Sequence, residues 1–406
     1  MMLRVKSISA PSVAVVSYHL MTDGTGRPNY VARALSEMPF LGSVSLVASD
    51  YEHISKRRVP EDGVVRLPVR PYTKNISVQR ILSYFDFARQ VNLAVPVAGA
   101  DLIYVCVPDY LSALAILRRK RNRRIVVIVD VVDLWPEALP LPRLVNGLVK
   151  KTIGLAFKWL RRSLFSKADL VLFQSQYFLN QCSGNNARYG FLPMCLNETT
   201  RLDYSWKGSS LAKEIRVLFL GSMNNITDVV SLVQLLCILA EKRKVSLRVV
   251  GGGSSLEWLK QRLRTTAVIT TFYGITFDSK IKDEELSQAH FGYNGYKETT
   301  EVSVSYKSLE YLRHGIPLIN SAKGDTFELM ENKECGFNYD PKDIQAVAAR
   351  ILLITDAEHA RMRQNALRAF EACFSYLGFS TTLQTYIGKL LMDCSADELR
   401  YRKYVG

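Results

Sequence analysis

Short apolar runs that lack polar alternation are the feature that most constrains the fold of this chain. In the first half they lie, in chain order, at 13–17, 44–48, 102–107, 124–132 and 170–173. A strand with one solvated face would alternate apolar and polar residues, whereas continuous Val- and Ile-rich runs indicate strands that are covered on both faces. The pattern therefore predicts a parallel sheet between two layers of helices.

The same pattern restarts after a polar stretch at 196–214 that suits an interdomain linker. Strands are predicted at 215–220, 246–250, 268–273, 291–296 and 317–320. Helices are predicted at 229–240, 256–263, 283–289, 307–313, 343–353 and 356–373. A chain of 406 residues is long enough for two cores. We therefore predict an α/β protein with two doubly wound, Rossmann-like domains, 1–200 and 201–375, that face each other across a cleft at the carboxyl ends of their strands.

The formal net charge of +15 favours an anionic partner. One basic run, 118–124, suits a solvated helix face. A second segment, 150–167, combines apolar residues with basic ones and contains no acidic residue. Its basic residues are Lys150, Lys151, Lys158, Arg161, Arg162 and Lys167. A basic amphipathic helix of this kind is typical of attachment to an anionic membrane surface, although packing against the core would also explain its apolar face.

The cysteine pattern and the hydropathy favour a cytoplasmic protein. The seven cysteines form no Cys-x-x-Cys pair and no zinc-type cluster, which indicates reduced thiols. The first residues lack the apolar region of a signal peptide, and the most apolar stretch, 91–117, is interrupted by proline, glycine and aspartate. We expect no transmembrane helix.

Two motifs in the first half follow predicted strands. Gly24, Gly26 and Arg27 belong to a glycine-containing turn before a helix, where backbone N–H groups can meet an anion. An ordinary strand-to-helix turn explains this motif equally well. Asp133 and Trp135 follow the strand at 124–132, where a carboxylate and a flat ring could contact a sugar. A helix start at this point is the structural alternative.

Glycine-containing turns also follow three predicted strands of the second half. They carry Gly221 and Ser222, Gly251, and Gly274. Small residues at the same edge of one sheet allow a phosphate or a base to approach the backbone. Together they favour a nucleotide site in the second domain.

The most specific motif is the segment 303–317. Ser305 and Tyr306 are placed at a predicted helix N-terminus, Lys307 adds a positive charge, and Glu310 follows one turn later. The helix start and Lys307 would bind a diphosphate, and the Glu310 carboxylate would accept hydrogen bonds from ribose hydroxyls. An ordinary helix with a Lys307–Glu310 ion pair is the structural alternative. Gly315 is predicted to end the helix in the left-handed conformation.

This segment resembles retaining glycosyltransferases of family 4, which have the GT-B fold, and most closely the branch that builds capsular polysaccharide and exopolysaccharide. The similar residues are Ser305, Lys307, Glu310, Tyr311, Gly315 and Pro317, together with the Asp133-Leu-Trp-Pro stretch and the strand-end glycines. Where many members carry an upstream glutamate, this chain has Val302, next to Glu301.

The resemblance implies a transferase that moves a hexose from a nucleotide diphosphate sugar, with retention, to a lipid-linked saccharide. It implies no cofactor and no metal, and a C-terminal helix, 376–406, that crosses back to the first domain. Asp133, Lys307 and Glu310 would be catalytic. Donor-binding residues would be Gly221, Ser222, Gly251, Gly274, Ser305, Tyr306, Lys307 and Glu310. Acceptor-binding residues would be Gly24, Gly26, Arg27, Asp133 and Trp135. The protein would work at the inner face of the membrane, held there through residues 150–167.

Three other functions are compatible with parts of the sequence. Gly24, Gly26 and Asp50 allow an NAD-dependent oxidoreductase, because Asp50 could bind a ribose. A GT-B epimerase that acts on a nucleotide sugar would share most of the motifs. Only the net charge supports nucleic-acid binding, and we expect no nucleic-acid partner because no recognised module is present.

Overall fold

The computed structural model describes residues 10–53, 55–60, 63–74, 77–120, 125–134, 147–182, 188–197, 206–276 and 279–405. Side chains are described for these residues except at 147–151, 153, 279 and 394–405. The chain divides into two compact units. Unit 1 consists of Met1–Glu137, Pro142–Asn197 and Tyr376–Gly406, and unit 2 of Glu198–Ser375 with 138–141.

Unit 1 is built on a parallel sheet of seven strands in the order β3-β2-β1-β4-β5-β6-β7. The strands are β1 Val13–Ser17, β2 Val44–Ser49, β3 Val65–Leu67, β4 Leu102–Val107, β5 Val126–Val131, β6 Leu170–Phe173 and β7 Tyr189–Phe191. The helices are α1 Arg27–Ser36, α2 Val78–Val91, α3 Val95–Gly99, α4 Tyr110–Lys120, α5 Gly147–Phe165, α6 Gln176–Cys182 and α14 Tyr376–Val405. Both faces of the sheet carry a buried apolar cluster, as the continuous apolar strands predict.

Unit 2 repeats this plan with six parallel strands in the order β10-β9-β8-β11-β12-β13. The strands are β8 Ile215–Ser222, β9 Val245–Gly252, β10 Ile269–Gly274, β11 Phe291–Asn294, β12 Leu318–Asn320 and β13 Gly336–Asn338. The helices are α7 Val229–Ala240, α8 Leu256–Leu263, α9 Ser279–Gln288, α10 Tyr306–Arg313, α11 Asp325–Lys333, α12 Ile344–Leu353 and α13 Asp356–Phe374. The predicted α/β class with two doubly wound domains is confirmed.

A buried ion pair joins distant parts of unit 1. The Arg27 guanidinium in the first turn of α1 donates to both carboxylate oxygens of Asp130 in β5, over 2.7 and 2.9 Å, and to the backbone carbonyl oxygens of Leu192 and Pro193 after β7. Arg27 and Asp130 are almost completely buried. Burial lowers the pKa of Arg27, but Asp130 outweighs this effect and raises the pKa above its ordinary value.

None of the six cysteines with described side chains forms a disulfide, and Cys106, Cys195 and Cys335 are buried. Within the described residues, no helix is both long and apolar enough to cross a membrane.

Removal of the Asp130 charge should destabilise unit 1 because it leaves the Arg27 charge buried without its partner. We expect Asp130→Asn to lower the free energy of unfolding by about 3–5 kcal/mol. Urea unfolding, with hydrogen exchange of the β5 amides as the readout for unit 1, would measure this loss. The matched control is Glu257→Gln, because Glu257 forms an exposed ion pair with Lys260. This control should cost less than about 1 kcal/mol, and an equal loss in both variants would contradict the prediction.

Candidate functional site

The carboxyl edge of each parallel sheet is where the loops with the predicted site residues meet. In unit 1 the strand order changes direction between β1 and β4, and in unit 2 it changes between β8 and β11. Ligands of open α/β sheets bind outside the carboxyl ends of the strands at such a switch point.

In unit 2 the start of α10 is fixed to the end of β11. Ser305 is the N-cap of α10, and its hydroxyl accepts a hydrogen bond from the N–H of Ser308, while the Ser308 hydroxyl reaches back to the N–H of Ser305. The Ser305 hydroxyl also donates to the side-chain oxygen of Asn294, 3.0 Å away. The capping box thus supplies an acceptor to the N–H of Ser308, a first-turn group that has no intrahelical backbone acceptor.

A chain of asparagines continues this support across three strand ends. Asn294 donates to the side-chain oxygen of Asn320, and Asn320 donates to that of Asn338, each over 2.8 Å. Asn294 and Asn320 are completely buried. This role was not predicted, although the recurrence of asparagine at the ends of β11, β12 and β13 is visible in the sequence. The network fixes the N-terminus of α10 relative to the sheet.

Tyr311 fixes the same helix to β8. Its buried hydroxyl donates to the carbonyl oxygen of Leu218 at 3.0 Å and accepts from the N–H of Leu220 at 2.7 Å. Gly315 follows the C-cap of α10 and has a φ of 62°, in the left-handed region, as predicted. Helix α10 is therefore held at its start, in its middle and at its end.

Lys307 lies in the first turn of this fixed helix. Its ammonium nitrogen is 4.8 Å from the ring centre of Phe219 and 4.4 Å from that of Tyr296. Among the described residues, no carboxylate pairs with Lys307, so the alternative of a Lys307–Glu310 ion pair is not what the structure shows. Burial lowers the pKa of Lys307 to about 7, because a desolvated ammonium favours its neutral form. An anionic ligand would restore the charged form.

Glu310 is placed one turn further along α10 and is mostly buried. Its two carboxylate oxygens accept from Lys282 and from Arg313, each at 3.0 Å. These cations keep the carboxylate in one orientation. Each oxygen retains a second lone pair that can accept a hydrogen bond from a ligand hydroxyl.

The strand-end glycines of unit 2 divide into two kinds. A side chain at Gly251 would collide with the backbone of Gly221 on the neighbouring strand, so Gly251 is required by the close approach of β8 and β9. At Gly221 and Gly274, with φ values of 90° and 71°, a side chain would meet open space. Ser222 is exposed beside Gly221. Only these open positions leave room for a ligand.

The turn of unit 1 between β1 and α1 places Gly24 and Gly26 at φ values of 74° and 88°, and Gly26 is the N-cap of α1. Arg27 is at the same turn, but its guanidinium is occupied by Asp130 and two backbone carbonyls. Its side chain is 3% exposed, a geometry that does not fit the expected contact with an acceptor. Arg27 therefore has a structural role, which the sequence could not indicate because Asp130 is more than 100 positions away.

Asp133 follows β5 and reaches solvent. The surrounding protein atoms raise the pKa of its carboxyl group, and Arg80 partly offsets this rise. Trp135, expected beside it, lies outside the described residues. Asp50, the ribose-binding candidate of an NAD site, instead pairs with Arg58 and accepts a hydrogen bond from the N–H of Val69 at 3.0 Å. That geometry gives no support to an NAD site.

Comparison with known proteins agrees with this architecture. Residues 214–356 match the family described as "Glycosyl transferases group 1". Sucrose-phosphate synthase from Thermosynechococcus elongatus is similar with a TM-score of 0.69 and 17% identity, over 94% of this chain and 100% of that chain. The lipopolysaccharide outer core galactosyltransferase WaaB has a TM-score of 0.61 and 13% identity, over 93% and 99%. Anabaena Alr3699/HepE, solved in complex with UDP, has a TM-score of 0.63 and 14% identity, over 93% and 100%.

The fold is GT-B. At these identities the likeness of the solved structures shows the fold alone, whereas the family match applies to about a third of the sequence. No curated protein sequence matches this chain significantly. The family match and the GT-B fold together support a glycosyltransferase.

The matched region contains every predicted donor-binding residue of this GT-B chain, from Gly221 to Glu310. The predicted acceptor residues of unit 1 lie outside that region. Among the described residues, no group of three or more His, Cys, Asp or Glu is placed to hold a metal ion. The roles of the individual residues therefore depend on their local geometry.

Proposed function

We propose that this chain is a retaining glycosyltransferase of family 4 that transfers a hexose from a nucleotide diphosphate sugar to a lipid-linked saccharide in the synthesis of surface polysaccharide. The observation that carries the proposal is the position of Lys307. Its desolvated ammonium has no carboxylate partner among the described residues, and it lies in the first turn of a helix whose N-terminus is fixed at the carboxyl edge of the sheet. Such a helix start and a lysine are suited to bind a diphosphate.

The donor would bind to unit 2. Three solved structures of Alr3699/HepE, which shares the GT-B fold, carry UDP, UDP-glucose, or UDP with glucose, and this supports a nucleotide sugar as the donor. The diphosphate would contact Lys307, the N-terminus of α10 including Ser305 and Tyr306, and the open backbone at Gly221 and Ser222. The ribose hydroxyls would donate to Glu310. The base and the remaining part of the donor would extend toward Gly274.

Catalysis would depend on charge stabilisation and positioning. Negative charge develops on the diphosphate as the bond from the sugar breaks, and a Lys307 ammonium already in place would stabilise that charge without reorganisation. Attack would occur on the face that the diphosphate leaves, with a diphosphate oxygen taking the proton of the acceptor hydroxyl. Asp133 would contact the acceptor. No metal and no cofactor would be needed, because Lys307 and the helix N-terminus supply the positive charge.

Binding of UDP should be coupled to proton uptake by Lys307. The pKa of Lys307 is about 7 in the free protein, and a neighbouring diphosphate would raise it. At about pH 7.5, binding should therefore take up protons, and affinity should fall as the pH rises further. Isothermal titration calorimetry in buffers of different ionisation enthalpy measures this uptake.

The variant Lys307→Met should lose the proton uptake and bind UDP about tenfold or more weakly, as expected for the loss of a charged hydrogen bond. Lys333→Met, at an exposed lysine of α11, is the matched control and should behave as the parent protein. The parent affinity should be the same in EDTA. Equal UDP binding by Lys307→Met and the parent would refute the role of Lys307, and loss of binding in EDTA that a metal reverses would refute metal independence.

Glu310→Gln should weaken the binding of UDP. The neutral amide has one acceptor oxygen and no negative charge, whereas both charged oxygens of the carboxylate can accept hydrogen bonds from the ribose hydroxyls. We expect a loss of about tenfold in affinity. Deoxy-UDP lacks one ribose hydroxyl and should bind the parent more weakly than UDP does. The difference in affinity between the parent and Glu310→Gln should also be smaller for deoxy-UDP than for UDP. Glu371→Gln on the exposed surface of α13 controls for loss of a carboxylate. If UDP and deoxy-UDP bind the parent equally well, Glu310 does not hold the ribose in the proposed way.

The acceptor would be presented at a membrane by α5. Leu155 and Trp159 on this helix are 60% and 73% exposed, and Lys158 and Arg162 are exposed on the same helix. Large apolar side chains among cations are typical of helices that lie in the interface of an anionic membrane. Arg161, expected to contribute to the charged surface, is 7% exposed and is therefore part of the packed side of α5. Lys150 and Lys151 lie outside the described side chains.

Charge reversal on α5 should abolish membrane attachment. Each exposed basic residue near an anionic surface contributes about 1 kcal/mol, so Lys158→Glu with Arg162→Glu should largely prevent sedimentation with vesicles that contain phosphatidylserine. The control Lys213→Glu with Lys242→Glu makes the same charge change at exposed positions of unit 2. UDP binding should be unaffected in both variants. If the α5 variant and the control sediment equally, α5 is an ordinary packed helix.

A further inference from the structure

A second electropositive cluster lies in unit 1, at the carboxyl ends of β1, β2 and β3. His19 comes two residues after β1, and His53 and Lys56 come from the loop after β2. Arg80 is in the first turn of α2, which follows β3. These four side chains originate from the loops after β1 and β2 and from α2, and they converge around the ring of Tyr72 and the hydroxyl of Tyr84. None of them belongs to the sites described above.

The contacts of the cluster show how closely its members approach. The Lys56 ammonium is 4.6 Å from the ring centre of Tyr72, and the Arg80 guanidinium is 5.9 Å from the same ring centre. The rings of His19 and His53 are 4.8 Å apart. The Lys56 ammonium is also 3.3 Å from Nδ1 of His53. Two cations and two imidazoles thus share one small space.

The electrostatics of this space oppose additional positive charge. Burial, with smaller effects of Lys56 and Arg80, lowers the pKa of His53 to about 4. Burial, His53, Arg80 and Lys56 hold the pKa of His19 well below its usual range. Burial and Arg80 also lower the pKa of Lys56. The groups repel one another, and an anion between them would relieve this repulsion.

The hydrogen-bond network around His19 leaves one N–H of its ring in the same space, where it can donate to a ligand. Arg80 donates to the hydroxyl oxygen of Tyr84 at 2.8 and 3.0 Å, so the Tyr84 proton can be donated to Nε2 of His19, 3.2 Å away. This arrangement places the His19 proton on Nδ1. Among the described residues, His19 Nδ1 is buried and has no hydrogen-bond partner. Buried polar groups form hydrogen bonds in most proteins, and a ligand atom that accepts a hydrogen bond would satisfy this N–H.

We propose that His19, His53, Lys56 and Arg80 form an anion subsite that binds a phosphate group of the acceptor. Two cations and an imidazole N–H match the several acceptor oxygens of a phosphate. Asp109 and Asp133 lie at the border of the cluster: burial and, less strongly, Asp109 raise the pKa of Tyr84, and Arg80 partly offsets the burial that raises the pKa of Asp133. These carboxyl groups favour a phosphate position on the side of Lys56 and His53. This inference rests on the proposed transferase function and adds that the acceptor carries a phosphate group.

The five histidines allow a test that does not depend on catalysis. Two of them, His19 and His53, are in the cluster, and the other three, His290, His314 and His359, are in unit 2. In NMR spectra of the imidazole signals, assigned with His19→Gln and His53→Gln, inorganic phosphate at constant ionic strength should shift the signals of His19 and His53. The signals of unit 2 provide an internal control for folding and for phosphate bound elsewhere.

The matched variants separate the subsite from general charge. Lys56→Gln should weaken phosphate binding at His19 and His53 about tenfold. Lys56→Arg should retain binding, and Lys74→Gln, at an exposed lysine near α2, should match the parent. Absence of shifts at His19 and His53 with millimolar phosphate, or equal affinity in Lys56→Gln and the parent, would overturn the proposal.

Two further ligands identify the source of the phosphate. Tighter binding of glucose 6-phosphate than of inorganic phosphate would indicate a soluble phosphorylated acceptor, and tighter binding of geranyl phosphate in micelles would indicate a lipid phosphate. Failure of both to shift His19 and His53 would refute a phosphate-bearing acceptor. A protein that binds UDP but no phosphate at the cluster refutes the subsite alone. One that binds phosphate there but no nucleotide refutes the proposed transferase.

Discussion

Parallel pairing of fully buried strands is the constraint on which the rest of this structure depends. β1 pairs in parallel with β2 and β4, and β8 pairs in parallel with β9 and β11. Because every strand runs the same way, every loop after a strand arrives at one edge, whatever its distance in sequence. A site at that edge can therefore take one or two residues from each of several loops, while the apolar strands supply the rigidity.

Buried charge is treated in two different ways in this molecule. Arg27 and Asp130 satisfy each other inside unit 1, and the remaining donors of Arg27 are taken up by backbone carbonyls. Lys307 is desolvated against two aromatic rings, no carboxylate of the described residues pairs with it, and burial lowers its pKa. A buried pair destabilises the fold when one partner is removed, whereas a desolvated cation carries a cost that a bound anion offsets. This difference separates the structural arginine from the lysine that we assign to the donor.

The strands could be predicted from sequence because their signal is local. The bounds of β1, β4 and β6, and those of α7 and α8, are the predicted ones. The apolar pattern at 30–38 predicts a helix there, and α1 begins three residues earlier, since Pro28 is compatible with a first helical turn. Helix α2 was not predicted. Its exposed side carries Val78, Ile81 and Phe85, which weakens the contrast between an apolar and a polar face.

The candidate site was predictable where its residues share one helix, and less so elsewhere. Ser305, Lys307 and Glu310 lie within six residues, so helical geometry alone places them together, although only the structure shows that Glu310 pairs with Lys282 and Arg313. The role of Arg27 depends on Asp130, and the cluster around Tyr72 depends on three loops brought together by β1, β2 and β3. A single sequence contains no local signal for such pairings, because each loop by itself looks like an ordinary polar connection.

The two electropositive sites give a physical reason for part of the basic composition. The formal net charge of +15 would by itself fit many anionic partners. Several of the cations instead form ion pairs within their own unit. Arg27 pairs with Asp130, Lys120 with Asp169, and Lys282 and Arg313 both pair with Glu310. Lys307 and Lys56 differ from these cations, since burial lowers the pKa of each and each ammonium lies over an aromatic ring. Partial loss of water makes each ammonium favour an anion whose several oxygens replace that water. A phosphate has more acceptor oxygens than a single carboxylate, and a phosphate in each unit would account for a partly desolvated cation at the carboxyl edge of both sheets.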